Sequence, residues 1–158
     1  MMGETHHLFM DLSTDLLRRG KSIRFRAPGQ SMHPTIRPNE TITVKPVAPS
    51  AIEVGDIILY GWEEGVIAHR VVRIEGEDSD VPRFILRGDA STMCDAPVAV
   101  EQILGKVVSV ERTGRSINPY GLKANMARLI FTLVSRPRGR MVHCLRWLVG
   151  CFPFFRER

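Results

Sequence analysis

The chain reads as short alternating or apolar runs, each closed by glycine, proline or an acidic cluster. Ile23 and Phe25 alternate with Arg24 and Arg26, so residues 22–27 are expected to form a strand with one buried face. Residues 41–45 are a second short run rich in β-branched side chains. Val54-Gly55-Asp56 is a turn signal, and the apolar run 57–60 after it predicts a third strand. Residues 62–65 read as a hairpin turn, 66–74 as the return strand, and 75–82 as an acidic, solvated loop. Further strands are expected at 83–87, ending at Gly88-Asp89, and at 103–112, where Gly105 suggests a bulge.

Helical spacing occurs at the two ends. Leu8-Phe9, Leu12 and Leu16-Leu17 stop at Gly20, which predicts a helix over 8–19 with its apolar face on the domain. Leu122, Met126, Leu129, Ile130 and Leu133 share one face of a second helix that runs to Ser135. Arg136-Pro137-Arg138-Gly139-Arg140 breaks it, and residues 141–152 resume an apolar stretch before Pro153. Mostly short strands with turn punctuation predict a mainly β fold, a twisted sheet or partly open barrel. The expected organisation is a β-domain over 1–121, with its short N-terminal helix, and an amphipathic helical tail over 122–158.

Charge sharpens that division. The 158 residues suffice for one domain with a real core, and the formal net charge is +5. Residues 1–121 hold 14 Lys/Arg against 16 Asp/Glu, whereas residues 122–158 hold 8 Lys/Arg against one Asp/Glu. The basic character therefore belongs to the tail. Its arginines lie beside Trp147, Phe152, Phe154 and Phe155, a mixture suited to an anionic membrane interface rather than to nucleic acid. No apolar run approaches the roughly 20 residues of a spanning helix. Glu4, Asp11 and Asp15 interrupt the N-terminus, so no secretory signal is expected there. The expected location is peripheral on a membrane, with a cytoplasmic face allowed. Cys94, Cys144 and Cys151 form no zinc spacing and no even disulfide set, and read as reduced thiols. With no zinc or phosphate-cradle pattern, neither metal nor cofactor is expected.

Candidate chemistry centres on Gly29-Gln30-Ser31-Met32-His33-Pro34-Thr35. Gly29 allows a sharp turn before Ser31, and Pro34 stiffens the exit. A serine on such a rigid turn, with backbone N–H groups nearby, has the setting of a nucleophile; it is also an ordinary Gly/Pro loop. A serine hydroxyl needs a base within hydrogen-bond reach. His69 lies inside the strand 66–74, on the face shared with Val71 and Arg73, while His33 is too close in sequence to reach back to Ser31. Asp89 and Asp95 follow the next strand and are the candidate carboxylates.

Gly-x-Ser-Met-x-Pro-Thr resembles the nucleophile box of the type I signal peptidases and of the LexA-type self-cleaving repressors. Ala68-His69-Arg70-Val71-Val72 resembles the base box of the signal peptidases that use histidine, those of the endoplasmic reticulum, the archaea and the SipW type. Arg87-Gly88-Asp89-Ala90-Ser91 with Asp95 is similar to the family's last box, which carries two acidic residues. The three boxes occur in family order over about half the chain. The resemblance implies a serine endopeptidase that cuts peptide or preprotein leaders after small residues. In that scheme Ser31 is the nucleophile, His69 the general base and Asp95 the orienting carboxylate. Asp89 is a helper, and Gly29, Gln30 and Met32 flank the oxyanion and substrate. Gly29 stands where many bacterial members have a donating serine, so the oxyanion would rest on backbone N–H groups, that of Ser31 foremost. No lysine occupies or flanks position 69, which disfavours the repressor reading. A non-catalytic β-domain that binds peptides or membranes is the remaining alternative.

Overall fold

A computed structural model of the chain describes residues 2–62, 65–76, 81–121 and residue 126, with side chains from residue 8 onward. The tail helices, Cys144 and Cys151 expected above lie outside the described residues. Eight strands form one antiparallel sheet: β1 (Ile23–Ala27), β2 (Glu40–Lys45), β3 (Ile57–Trp62), β4 (Gly65–Glu75), β5 (Arg83–Arg87), β6 (Val98–Ala99), β7 (Ile103–Arg112) and β8 (Arg115–Ile117). The spatial order is β1-β2-β7-β3-β4-β5-β6, with β8 on the far end of β7. The sheet is open, and β1 and β6 are its edges.

The expected strands form within a residue or two of their sequence limits. β6 and β8 were not foreseen; at two and three residues they are too short to carry a periodicity. A bulge adjoins Gly105 as expected, since the β3–β7 register slips between Leu59 and Tyr60. The glycine has a packing reason as well. A Cβ there would sit 2.5 Å from the Lys45 carbonyl oxygen on β2, closer than any real contact.

β3 is buried on both faces from Ile57 to Tyr60. Ile57 and Leu59 point into one cluster with Leu17, Ile36, Ile42, Val44, Val107 and Val110. Ile58 and Tyr60 point into the other with Ile52, Val71, Phe84, Leu86 and Val98. Period-two alternation thus assigns consecutive residues of β3 to two cores.

The helix α1 (Met2–Arg18) is longer than expected and contacts β1, β4 and β7. At 17 residues it is roughly 25 Å long, enough to cross the four strand spacings, about 19 Å, between β1 and β4. Its end is a Schellman stop. Gly20 takes φ 75°, its N–H donates to the Leu17 carbonyl, and the Lys21 N–H donates to that of Leu16. Leu16, Leu17 and the buried Ser13 face the sheet, and the Phe9 ring meets Phe25 edge-on. Leu8 and Leu12 face outward, so only part of the expected apolar face is covered by the domain. No helix among the described residues is long and apolar enough to cross a membrane.

Candidate active site

The loop between β1 and β2 carries Ser31. Its base is closed by the Asn39 N–H donating to the Ala27 carbonyl. Met32 and Ile36 are buried in the helix-side core, and the Ile36 N–H donates to the Met32 carbonyl. Those two apolar side chains fix the loop to the sheet and leave Ser31 between them and β4. The side chain of Met32, expected to flank substrate, is core and leaves only its backbone at the turn. Gln30 is exposed, and its carbonyl accepts the His33 N–H. Gly29 differs from expectation. It is not in the left-handed region, and a Cβ on it would meet nothing within 4 Å. The backbone turns here without needing glycine's freedom.

His69 extends from β4 opposite Ile58, on the face of Tyr60 and Val71. Its Nε2 lies 2.8 Å from Ser31 Oγ, and its Nδ1 lies 2.6 Å from Asp95 Oδ2. The carboxylate also accepts the Tyr60 hydroxyl at 3.0 Å on the same oxygen. Asp95 is held in turn by its own backbone, since its N–H donates 2.9 Å to the Leu86 carbonyl on β5. An imidazole with hydroxyl on one nitrogen and carboxylate on the other has its tautomer set. Nδ1 carries the proton that Asp95 accepts, and Nε2 is left to accept the serine proton. The His69 side chain is 10% exposed and that of Asp95 23%, so the array is shielded but reachable.

Asp89 is six residues away in sequence and in a different setting. Arg70 Nε and Nη2 donate to its two oxygens at 2.8 Å each, a bidentate pair with both side chains buried. The Thr35 hydroxyl also donates to Asp89. Arg70 Nη1 donates 2.7 Å to the Gly55 carbonyl, in a turn where Gly55 takes φ 102°. The ion pair therefore ties together β4, the 54–56 turn, the nucleophile loop and the segment after β5. Among the described residues no buried side-chain nitrogen or oxygen lacks a partner.

Gly88 is where two of these pieces touch. The Ala90 N–H donates 2.8 Å to the Ser31 carbonyl. A Cβ on Gly88 would sit 2.6 Å from that carbonyl oxygen and 3.1 Å from His69 Nε2. Beyond the loop, Arg112 on β7 pairs with Glu40 and its Nη2 donates to the Thr35 carbonyl at 3.3 Å. Burial works against ionising Glu40, but hydrogen bonds from Arg112 and from the Arg37 N–H outweigh it and hold the carboxyl below its ordinary value.

Ser31, His69 and Asp95 are thus brought into one hydrogen-bonded chain, while Asp89 is drawn into the ion pair. Tyr60, Arg70, Thr35 and Gly88 had not been singled out for a role at the site. Arg70 lies within the Ala68-His69-Arg70-Val71-Val72 box that carried the resemblance. Among the described residues no group of histidine, cysteine and acidic side chains is arranged to hold a metal. The exposed cysteine among them is Cys94, next to Asp95. No protein-family model and no curated protein matches the chain.

Proposed function

We propose that the chain is a serine endopeptidase of the Ser-His-Asp type that cleaves leader peptides, similar to the histidine-using signal peptidases. The observation that carries this reading is the unbroken chain from Ser31 Oγ through the His69 ring to Asp95 Oδ2, at 2.8 and 2.6 Å. Both hydrogen bonds that such a site requires, nucleophile to base and base to orienting carboxylate, are made. In the proposed reaction His69 Nε2 takes the hydroxyl proton as Ser31 Oγ attacks the scissile carbonyl carbon. Asp95 stabilises the imidazolium that forms. The oxyanion is received by backbone donors, the Ser31 N–H first among them. His69 then gives its proton to the departing amine, and the acyl-serine remains. Water, deprotonated by the same nitrogen, attacks the acyl carbon and frees Ser31 with release of the new carboxylate.

The substrate class, extended leaders with small residues before the cut, follows the resemblance. So does the proposed site of action at a membrane surface, reached through the basic, aromatic segment 122–158. Two measurements test these parts separately. Full-length protein in mild detergent is given a peptide library, with Ser31→Ala beside it, and the products are read by mass spectrometry. The expected result is cuts after small residues that vanish in the variant; cuts that persist in Ser31→Ala would remove the serine mechanism. Flotation with anionic liposomes tests the tail. Full-length protein is expected to rise with the vesicles, and protein that stays at the bottom of the gradient refutes the membrane assignment.

A further inference from the structure

Tyr60 is a buried residue with a polar group that the proposed mechanism leaves unused. It lies on β3, 1% exposed, packed among Ile58, Phe84 and Leu86. A phenylalanine would fill the same apolar space, so packing does not account for the hydroxyl. That hydroxyl donates to Asp95 Oδ2 at 3.0 Å, the oxygen that also accepts His69 Nδ1–H at 2.6 Å. The phenol and imidazole rings stand 6.4 Å apart, and both reach the same carboxylate oxygen.

We propose that Tyr60 is a positioning residue for the triad: its hydroxyl fixes the Asp95 carboxylate toward His69 and moderates how strongly that carboxylate stabilises the imidazolium. The proposal rests on reading Ser31, His69 and Asp95 as a triad. A carboxylate oxygen with two donors converging on it cannot swing away without leaving a buried phenol unpaired, which is costly. A second donor also draws charge from the oxygen, so less remains to hold a proton on His69. Burial and the Asp95 charge push the phenol well above its ordinary range, so it stays a donor at every pH where a peptidase would work. The titratable and charged groups on the elements around His69 are these. Arg70, Arg73 and Glu75 are on its own strand, Arg83 and Arg87 on β5, and Asp89, Cys94 and Asp95 on the segment after it. Tyr60 is on β3, His33 and Arg37 share the loop of Ser31, and α1, which meets β4, carries Asp11, Asp15 and Arg18. Arg70 and Asp89 offset each other in their bidentate pair.

The test compares wild type with Tyr60→Phe by two readouts. One is the His69 titration followed by imidazole NMR, with His69→Gln used to assign its signal. The other is the pH dependence of Ser31 labelling by a fluorophosphonate probe, with Ser31→Ala as the blank. Loss of the hydroxyl is expected to raise the His69 titration point, and with it the acid limb of labelling, by about half a pH unit or more. The labelling plateau should fall as the carboxylate loosens. A purely packing role would move neither curve, and unmoved curves in a folded variant overturn the proposal. Should Tyr60→Phe fail to fold, the same titration is run on Tyr120→Phe protein grown with 3-fluorotyrosine, which leaves Tyr60 as the one labelled tyrosine. The stronger donor is expected to lower the His69 titration point, and no change overturns the proposal. Labelling equal in wild type and Ser31→Ala would instead sink the peptidase reading, while the NMR titration would still decide whether Tyr60 acts on His69.

Discussion

The Asp89 side chain is 3% exposed and faces a guanidinium that is 5% exposed. Removing one partner of such a pair strands the other charge in a dry site, which typically costs about 3–5 kcal/mol. Asp95 is more open, and its neighbours are a phenol and an imidazole that need not be charged for the fold to stand. The two carboxylates therefore predict opposite phenotypes. Asp89→Asn should lower the thermal midpoint by roughly 10 °C, taking about 2–4 °C per kcal/mol for a chain of this size. Asp95→Asn should unfold near the wild-type temperature. It should lose activity by on the order of 10³- to 10⁴-fold, because an amide there can set the wrong tautomer on His69. Thermal denaturation of both variants, beside Ser31 labelling by a fluorophosphonate, reads the pair. A stable, inactive Asp89→Asn with an unstable, active Asp95→Asn would reverse the assignment.

At the scale of elements, the site is a meeting of a loop from one edge of the sheet with a strand and a turn from its other half. That meeting depends on glycine at one place more than another. Gly88 has no room for a Cβ, because the nearest atom is the Ser31 carbonyl oxygen at 2.6 Å, part of the backbone and unable to rotate aside. Gly88→Ala should push the nucleophile loop off β4 by a fraction of an ångström and slow Ser31 labelling by about 100-fold, with the fold retained. Gly29→Ala, facing open space, should label within a few-fold of wild type. Equal rates in the two variants would show that the β5 contact does not set the Ser31–His69 distance. The same contrast explains what was legible in the sequence. The alternation of Ile23 and Phe25 with Arg24 and Arg26, and the apolar run at 57–60, gave the strands, because local periodicity survives folding. The resemblance placed Ser31, His69 and Asp95 in one scheme before their distances were known. The Arg70–Asp89 pair, the Tyr60 hydroxyl on Asp95 and the tight place of Gly88 were hidden, since each is set by contacts across 19 to 57 positions of chain. Gly29 misled for the same reason, since a glycine in sequence does not report whether its φ is positive.

Across the whole molecule, two part-buried groups, Glu40 and Tyr120, bound the pH range in which the fold is held. Glu40 sits on β2 and grips Arg112 of β7, and through Arg112 the carbonyls of the nucleophile loop. Its carboxyl is held below the ordinary value of 4.5 in the folded chain. The stability it contributes is therefore fully present above that ordinary value and is lost as pH falls through the lowered one. Tyr120 works from the opposite side. Its hydroxyl accepts the Ile57 N–H and donates to the Val107 carbonyl, joining β3 to β7. Burial, with the Asp56 charge adding to it, pushes this phenol up to about 12 against the lowering effect of the Ile57 N–H. A raised phenol contributes stability that is present below its ordinary value of 10.0 and fades as pH rises toward the folded one. Urea midpoints measured from pH 3 to pH 11 should thus trace a plateau that falls at both ends. Glu40→Gln should be weaker than wild type on the plateau and converge with it as pH falls through the lowered value of the Glu40 carboxyl, where the wild-type group is also neutral. Tyr120→Phe should be weaker on the plateau, by the loss of two hydrogen bonds, and its alkaline fall should be shallower than that of wild type. A Glu40→Gln curve parallel to wild type down to pH 3 would mean that Arg112 holds the loop without the charge of Glu40. The ion pair would then be dispensable to the placement of Ser31.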